Sequence, residues 1–227
     1  MSYTDEEETS MSITNGSKQE NNKAWPMRQH EKEDASLEAV KKHLMKGQKL
    51  DLTKDNPNVD QIHIGLGWDL CGQPIDLDTQ VFLLNEEDKL LSPKHLIYYH
   101  QQQSLDGAVR HLGDHQVGGG HRDNEIIIMQ LSRVSPDIQK IVVTATIHDA
   151  HERTHHFGQV TNAYLRLSDQ ITQQEICTFQ LTEDYSFCTS IICAELTRVE
   201  NEWKITATGQ GTTLDLNDLC RIYGFTS

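Results

Sequence analysis

Short runs in which apolar and polar residues alternate recur along most of this chain, and they restrict it to a β-fold. Trp203, Ile205 and Ala207 alternate with polar residues, so one face of that segment is apolar and the other is polar. The segments 126–131 and 140–147 are rich in β-branched residues, which suit buried strands. Because turn residues separate many such short segments, the sequence predicts an all-β fold, an antiparallel two-sheet β-sandwich.

The two ends of the chain depart from this pattern. Residues 1–33 are polar and rich in Asn, Gln, Ser and Glu, so they cannot bury enough apolar surface to offset the entropy of ordering. Apolar residues at helical spacing in 34–45 predict a short helix. Asp215 precedes a second helical pattern and predicts a short C-terminal helix. We therefore divide the chain into an N-terminal extension, 1–45, disordered and then partly helical, and a β-sandwich domain, 46–227.

Charge and cysteine content exclude several classes of protein. The net charge is −14, with 34 acidic residues against 20 Lys and Arg, which argues against nucleic-acid binding because phosphates need a basic surface. Five cysteines without a C-x-x-C pair fit a reducing compartment better than a disulfide framework. The N-terminus is acidic where a signal peptide is basic, and no apolar run is long enough to span a membrane. We expect a cytoplasmic protein.

Acidic residues gather in three short, glycine-marked segments, 67–69, 76–78 and 113–125. Calcium takes about six to eight oxygen ligands from carboxylates, amides and backbone carbonyls. Glycine supports such a site because it lets the backbone turn tightly. In addition, Glu125 leads directly into the apolar run 126–129, which places carboxylates at the mouth of a core strand. These features predict a metal site, and solvated turns remain the alternative because Asp, Asn and Gly are also common turn residues.

The motifs that contain these segments resemble the TerD domain, the tellurium-resistance and stress-response family. They occur in order over about 46–227, at 65–69, 76–84, 104–107, 113–125, 147–150, 157–163, 202–204 and 209–211. The resemblance implies a calcium-binding β-sandwich without established catalytic activity. It also implies partners among other stress-response proteins, and it leaves peripheral membrane association open.

The resemblance further implies a set of metal ligands, and the third segment departs from the family pattern. The implied ligands are Asp69, Asp76, Asp78, Asp114, Asp123, Asn124 and Glu125. At four family positions this chain has His115, Val117, His121 and Arg122 instead, and Asn124 stands at a family aspartate. Imidazole is a poor calcium ligand and a good ligand for zinc, nickel or copper. We therefore expect fewer or weaker calcium sites, with a histidine-based transition-metal site as the alternative.

A second alternative comes from the segment 148–156, which contains the sequence His151-Glu152-x-x-His155. This is the signature of zinc peptidases, in which two histidines one helical turn apart bind zinc and the glutamate acts as a base. The signature requires a helix of several turns, and only about ten residues separate the flanking predicted strands. A non-enzymatic loop is therefore the favoured interpretation.

Overall fold

The alternating segments form two six-stranded β-sheets whose apolar faces enclose one shared core. The structure, a computed structural model, describes residues 42–69, 75–114, 123–181 and 185–225. All of these residues belong to one compact unit, Ala39–Ser227. The sandwich predicted from the sequence is confirmed.

The first sheet, sheet A, consists of β1 (Lys42–Leu44), β3 (Gln61–Asp69), β6 (Val109–Asp114), β7 (Glu125–Gln130), β9 (Thr161–Asp169) and β10 (Glu175–Gln180). The strand order across the sheet is β1-β10-β9-β3-β7-β6. Neighbouring strands are antiparallel except for β1, which pairs with β10 in parallel.

The second sheet, sheet B, consists of β2 (Lys49–Asp51), β4 (Leu77–Leu84), β5 (Leu96–Ile97), β8 (Lys140–Ile147), β11 (Ser190–Val199) and β12 (Glu202–Thr212). Its strand order is β2-β12-β11-β8-β4-β5, and every pair is antiparallel. The helices are α1 (Leu52–Asp55), α2 (Ala150–Arg153) and α3 (Leu216–Ile222), with 3-10 turns at Pro93–His95, Leu131–Arg133 and Phe157–Gln159. Among the described residues, no helix is long and apolar enough to cross a bilayer.

Alternate residues of each strand fill the space between the sheets. Ile62, Ile64 and Leu66 of β3 are almost fully buried there, as are Val81 and Leu83 of β4. Each such side chain contributes about 1.5–3 kcal/mol through the apolar surface it removes from water. The hydrophobic effect therefore fixes which face of each strand carries the polar residues that are discussed below.

Helix α3 covers part of the outer face of sheet B and forms a second, smaller core. Leu219 and Tyr223 pack there against Phe82 of β4, with 4.7 Å between the ring centroids of Tyr223 and Phe82. The helix begins at a capping box in which Asp215 Oδ1 accepts a hydrogen bond of 2.8 Å from the Asp218 amide. The prediction of a C-terminal helix capped by Asp215 is confirmed.

The prediction of a helix over 34–45 is wrong at its C-terminal end, because residues 42–44 form β1. Backbone pairing of this segment with β10 outweighs its weak helical period, and the residues before Lys42 lie outside the described part of the chain. The parallel pairing also makes sheet A mixed, where the sequence predicted antiparallel sheets throughout.

Candidate functional site

The end of β6, the start of β7 and the start of β4 meet at one end of the sandwich. Asp114 and Glu125 are paired residues on β6 and β7, so they form the base of the loop between them. The Glu125 carboxylate points between the sheets and accepts hydrogen bonds from the backbone N–H of Thr79 and, at 2.7 Å, from the Thr79 hydroxyl. We call this region, defined by Asp76, Asp78 and Glu125, the acidic end.

A buried histidine completes the contact between the sheets. His111 Nε2 lies 3.3 Å from Thr79 Oγ1 and 3.7 Å from Glu125 Oε1. Its Nδ1 accepts a hydrogen bond of 3.0 Å from the Gly113 amide, so the ring is neutral with its proton on Nε2. Burial lowers the pKa of His111 because the charged form loses its solvation. This histidine therefore fixes the backbone at which the loop leaves β6.

Asp123 lies on the opposite side of sheet A, over its outer face. The carboxylate is buried and accepts hydrogen bonds from Arg166 Nη2 at 2.6 Å, His63 Nε2 at 2.8 Å and the Tyr164 hydroxyl at 3.1 Å. Gly65 is required beneath it, because a Cβ at that position would lie 2.0 Å from Asp123 Cγ. We call Asp123 and its three donors the outer clamp.

Charge and hydrogen bonding keep the outer clamp ionised. Burial opposes the charged carboxylate, but hydrogen bonds from His63 and Arg166 and the positive charge of Arg166 outweigh burial and lower the pKa of Asp123. Burial, followed by the negative charge of Asp123, raises the pKa of Tyr164 to about 12. Asp123 thus holds the C-terminal end of the loop against sheet A through an ion pair and two further hydrogen bonds.

The remaining predicted ligands that the structure describes lie near the ends of β3 and β4. Asp69 is exposed and accepts a hydrogen bond of 2.5 Å from Asn162 Nδ2, while Asn124 Oδ1 accepts one of 3.1 Å from the Trp68 amide. The backbone oxygen of Asp76 accepts a hydrogen bond from the amide of His148 at 2.9 Å. Asp78 Oδ2 lies 3.4 Å from His148 Nδ1.

The structure therefore separates the predicted ligands. Asp76 and Asp78 lie at the start of β4, where Asp78 borders a cleft on the outer face of sheet B, whereas Glu125 points between the sheets. Asp123 faces the outer side of sheet A with three donors on its carboxylate. His115 and His121 lie outside the described residues. Within the described ranges, no three His, Cys, Asp or Glu side chains converge as a metal site. The carboxylates of the acidic end have the donor chemistry that calcium prefers, and they border the loop that carries the remaining family positions.

The histidines of the peptidase signature do not adopt the geometry of a zinc peptidase. Helix α2 contains only one turn and ends at Arg153, and Thr154 then takes a left-handed conformation with φ of 56°. His151 and Glu152 are exposed, while His155 lies beyond the end of the helix. Because the signature needs both histidines on one continuous helical face, this segment does not form that site.

A cleft of about 520 Å³ lies beside the acidic end on the outer face of sheet B. We call it the outer cleft, and its main walls are Tyr98, Tyr99 and His100, the turn with Asp149 and Glu152, and the start of α3 at Asp215. Asp78 and Thr146 contribute to its floor. Burial, followed by the negative charges of Asp78, Tyr98 and Asp149, raises the pKa of Tyr99. The negative charges of Asp78 in the floor and Asp149 in the wall therefore both act on the Tyr99 hydroxyl.

Sequence reasoning missed the outer clamp and His111. The signal for the clamp was present, because His63, Tyr164 and Arg166 occupy the outward positions of β3 and β9, between the buried residues of those strands. The pairing of those strands, Gly65 opposite Arg166, is a tertiary fact that the sequence alone does not supply.

The fold is a two-sheet β-sandwich with acidic residues at the start of β4 and at the ends of β6 and β7. A TerD domain model matches residues 40–223. Over 185 residues the chain is 43% identical to general stress protein 16U of Bacillus subtilis, covering 80% of this chain and 96% of that protein. Over 184 residues it is 39% identical to tellurium resistance protein TerD of Serratia marcescens, again covering 80% and 96%. The chain belongs to the TerD family.

A solved structure supports the same fold. The crystal structure of a homologue of the telluride resistance protein TerD from Streptomyces coelicolor superposes with a TM-score of 0.58, over 72% of this chain and 96% of that chain. The identity is 20%, so this likeness bears on the fold alone.

Proposed function

We propose that this protein is a non-enzymatic, calcium-binding stress-response protein that contributes to resistance against tellurium compounds and other chemical stress. The stress-response role rests on relatives that are named a general stress protein and a tellurium resistance protein and are similar over almost their whole length. We place it in the cytoplasm, because Cys177 and Cys193 are buried free thiols. Its partners would be other proteins of the stress response.

The observation that carries the calcium proposal is the contact between Glu125 and Thr79. It ties the loop of sheet A to the start of β4 in sheet B, next to Asp78. Asp76 and Asp78 then border a loop rich in glycine and acidic residues. Asp76 and Asp78 would hold the ion, together with oxygens of the loop, while Glu125 would position the loop through Thr79 and Asp123 would position it through the outer clamp.

A bound calcium ion would neutralise carboxylates that otherwise repel one another. The chain's own residues prepare for this because Glu125 and His111 fix the base of the loop on the inner side of sheet A, while Asp123 fixes it on the outer side. An ion that binds only the folded protein stabilises it by RT ln(1 + [L]/Kd), so the free energy of unfolding rises with the concentration of the free ion. The expected functional consequence is a loop that becomes more ordered and presents a defined surface to partners.

The test compares melting temperatures with and without calcium. Because a ligand at a hundredfold excess over its Kd stabilises the folded state by about 2.7 kcal/mol, millimolar calcium should raise the Tm. The double variant Asp76→Ala with Asp78→Ala should remove this rise, whereas Glu86→Gln with Glu87→Gln, two exposed acids on another turn, should keep it. If calcium does not raise the Tm of the unmodified protein, the calcium proposal is wrong.

A further inference from the structure

The outer cleft has no role in the calcium proposal apart from its share of Asp78. Its volume of about 520 Å³ lies in the range of pockets that take small molecules or single side chains. Three different parts of the chain form its walls: the segment after β5, the turn that follows β8, and the start of α3. Such a cleft is built by tertiary structure, and two features of its walls define what it can bind.

The first feature is the charge of the walls. Carboxylates of Asp78, Asp149, Glu152 and Asp215 line the cleft, and none of the described residues that line it is a lysine or an arginine. Asp149 Oδ2 lies 3.3 Å from Arg153 Nη2 and 3.4 Å from His148 Nε2, and Asp78 Oδ2 lies 3.4 Å from His148 Nδ1. The Arg153 and His148 side chains are 49% and 40% exposed, so solvent screens these pairs. The potential inside the cleft therefore favours a cation.

The second feature is an aromatic wall. The rings of Tyr98 and Tyr99 are 5.3 Å apart in an edge-to-face arrangement, and the ring of His100 lies 4.2 Å from that of Tyr99. Tyr99 remains 38% exposed although it belongs to this cluster. Aromatic faces next to carboxylates are the surroundings that bind ammonium and guanidinium groups, through cation–π attraction and charge.

The spacing of these groups argues against a bare metal ion as the occupant. Among the described residues, no three His, Cys, Asp or Glu side chains converge on one point. The carboxylates are instead spread over several walls of a cavity many times larger than an ion. A molecule with a carbon frame and a positive end matches both the size and the lining.

We propose that the outer cleft binds an organic cation whose ammonium or guanidinium group lies between Tyr99 and the carboxylates of Asp149 and Glu152. The cation can belong to a free polyamine or to a basic side chain of a partner protein, since both present the same chemistry. The proposed contacts include neither Asp78 nor the loop 113–125, so this site can exist whether or not the acidic end binds calcium.

The test follows amide chemical shifts of the full-length, isotope-labelled protein during titration with 1,4-diaminobutane, and separately with 1,4-butanediol, which has the same carbon chain without charge. Parallel titrations use a capped Gly-Lys-Gly peptide and a capped Gly-Gln-Gly peptide, and all are run with calcium and with a chelator. We expect saturable shifts at 98–100 and 148–152 with the diamine or the lysine peptide, and not with their neutral counterparts. Tighter binding of the diamine would indicate a free polyamine as the occupant, and tighter binding of the lysine peptide would indicate a basic side chain of a partner protein.

Variants make the result specific to the cleft. Tyr99→Leu, and separately Asp149→Asn with Glu152→Gln, should each weaken binding at least about fivefold. Asparagine suits position 149 because that residue has a φ of 51°. The pair Glu86→Gln with Glu87→Gln changes the net charge equally at a distant turn where both acids are exposed, so this variant should bind within twofold of the unmodified protein.

Three results would overturn this proposal: equal shifts with the diol and the diamine, equal weakening by the distant charge variant, or no saturable shift at the cleft with either cation. If Asp149→Asn disturbs folding, the single variant Glu152→Gln provides the test, because Glu152 is exposed. A calcium-dependent rise in Tm without cation binding would leave the proposed function intact and reject only the cleft.

Discussion

Replacing Arg166 with methionine tests the outer clamp, the feature that holds the loop to sheet A. Methionine keeps most of the apolar stem of arginine but removes the guanidinium, so Asp123 loses its hydrogen bond of 2.6 Å and its main counter-charge. Breaking a fully buried ion pair costs about 3–5 kcal/mol. Asp123 keeps hydrogen bonds from His63 and Tyr164, and the Arg166 side chain is 31% exposed. We therefore expect a smaller loss in the free energy of unfolding, about 1.5–3 kcal/mol.

Urea unfolding at pH 7 measures this loss, and Arg221→Met provides the matched control. Arg221 also makes a 2.6 Å contact, with Asp218, but its side chain is 66% exposed, so its removal should cost about 0–1 kcal/mol. The pKa of Asp123 is lowered in the folded state, so its stabilisation is present above the unfolded pKa of about 3.9 and is lost as pH falls through the folded pKa. The difference between Arg166→Met and the unmodified protein should shrink in that acidic range. Equal, small losses for both arginine variants would refute the clamp.

Two further predictions concern His111 and the departures from the family pattern. Burial lowers the pKa of His111, so below about pH 6.5 the unfolded chain binds a proton that the folded protein does not bind. As the pH decreases through this range, the free energy of unfolding should therefore decrease by up to about 1.4 kcal/mol per pH unit. His111→Asn should remove most of this pH dependence between pH 7.5 and 5.5, whereas His43→Asn, at an exposed histidine, should keep it. Equal pH dependence in the unmodified protein and both variants would contradict the assignment of this effect to His111. The triple change His115→Asn, His121→Asp and Asn124→Asp should strengthen calcium binding by calorimetry; unchanged affinity and stoichiometry would show that those positions are not ligands.

The regular parts of the fold could be predicted from the sequence because one physical signal governs them. Period-two alternation identified the buried face of β12, a β-branched run identified β8 as a buried strand, and a capping aspartate marked the start of α3. The strand β1 could not be predicted in this way. Its three residues have no alternating pattern of their own, and only the neighbouring backbone of β10 makes them a strand.

The sequence predicted which residues belong to the candidate site much better than it predicted where their side chains lie relative to one another. Composition and family likeness indicated the acidic segments, but the side on which each carboxylate lies depends on strand pairing. Glu125 faces inward and Asp123 faces outward, although only one residue separates them. Gly65, which makes room for Asp123, belonged to a recognised motif, yet the reason for this glycine is visible only in three dimensions.

Calcium titration by isothermal calorimetry tests the central claim most directly, because it reports stoichiometry and affinity without depending on stability. The account predicts saturable calcium binding by the unmodified protein and loss of that binding in Asp78→Asn. Asp137→Asn is the matched control, because it makes the same substitution at an exposed acid distant from the acidic end, and it should bind calcium fully. Asp123→Asn should retain the stoichiometry, since its carboxylate serves the outer clamp. Absence of calcium binding in the unmodified protein, or its persistence in Asp78→Asn, would contradict the account.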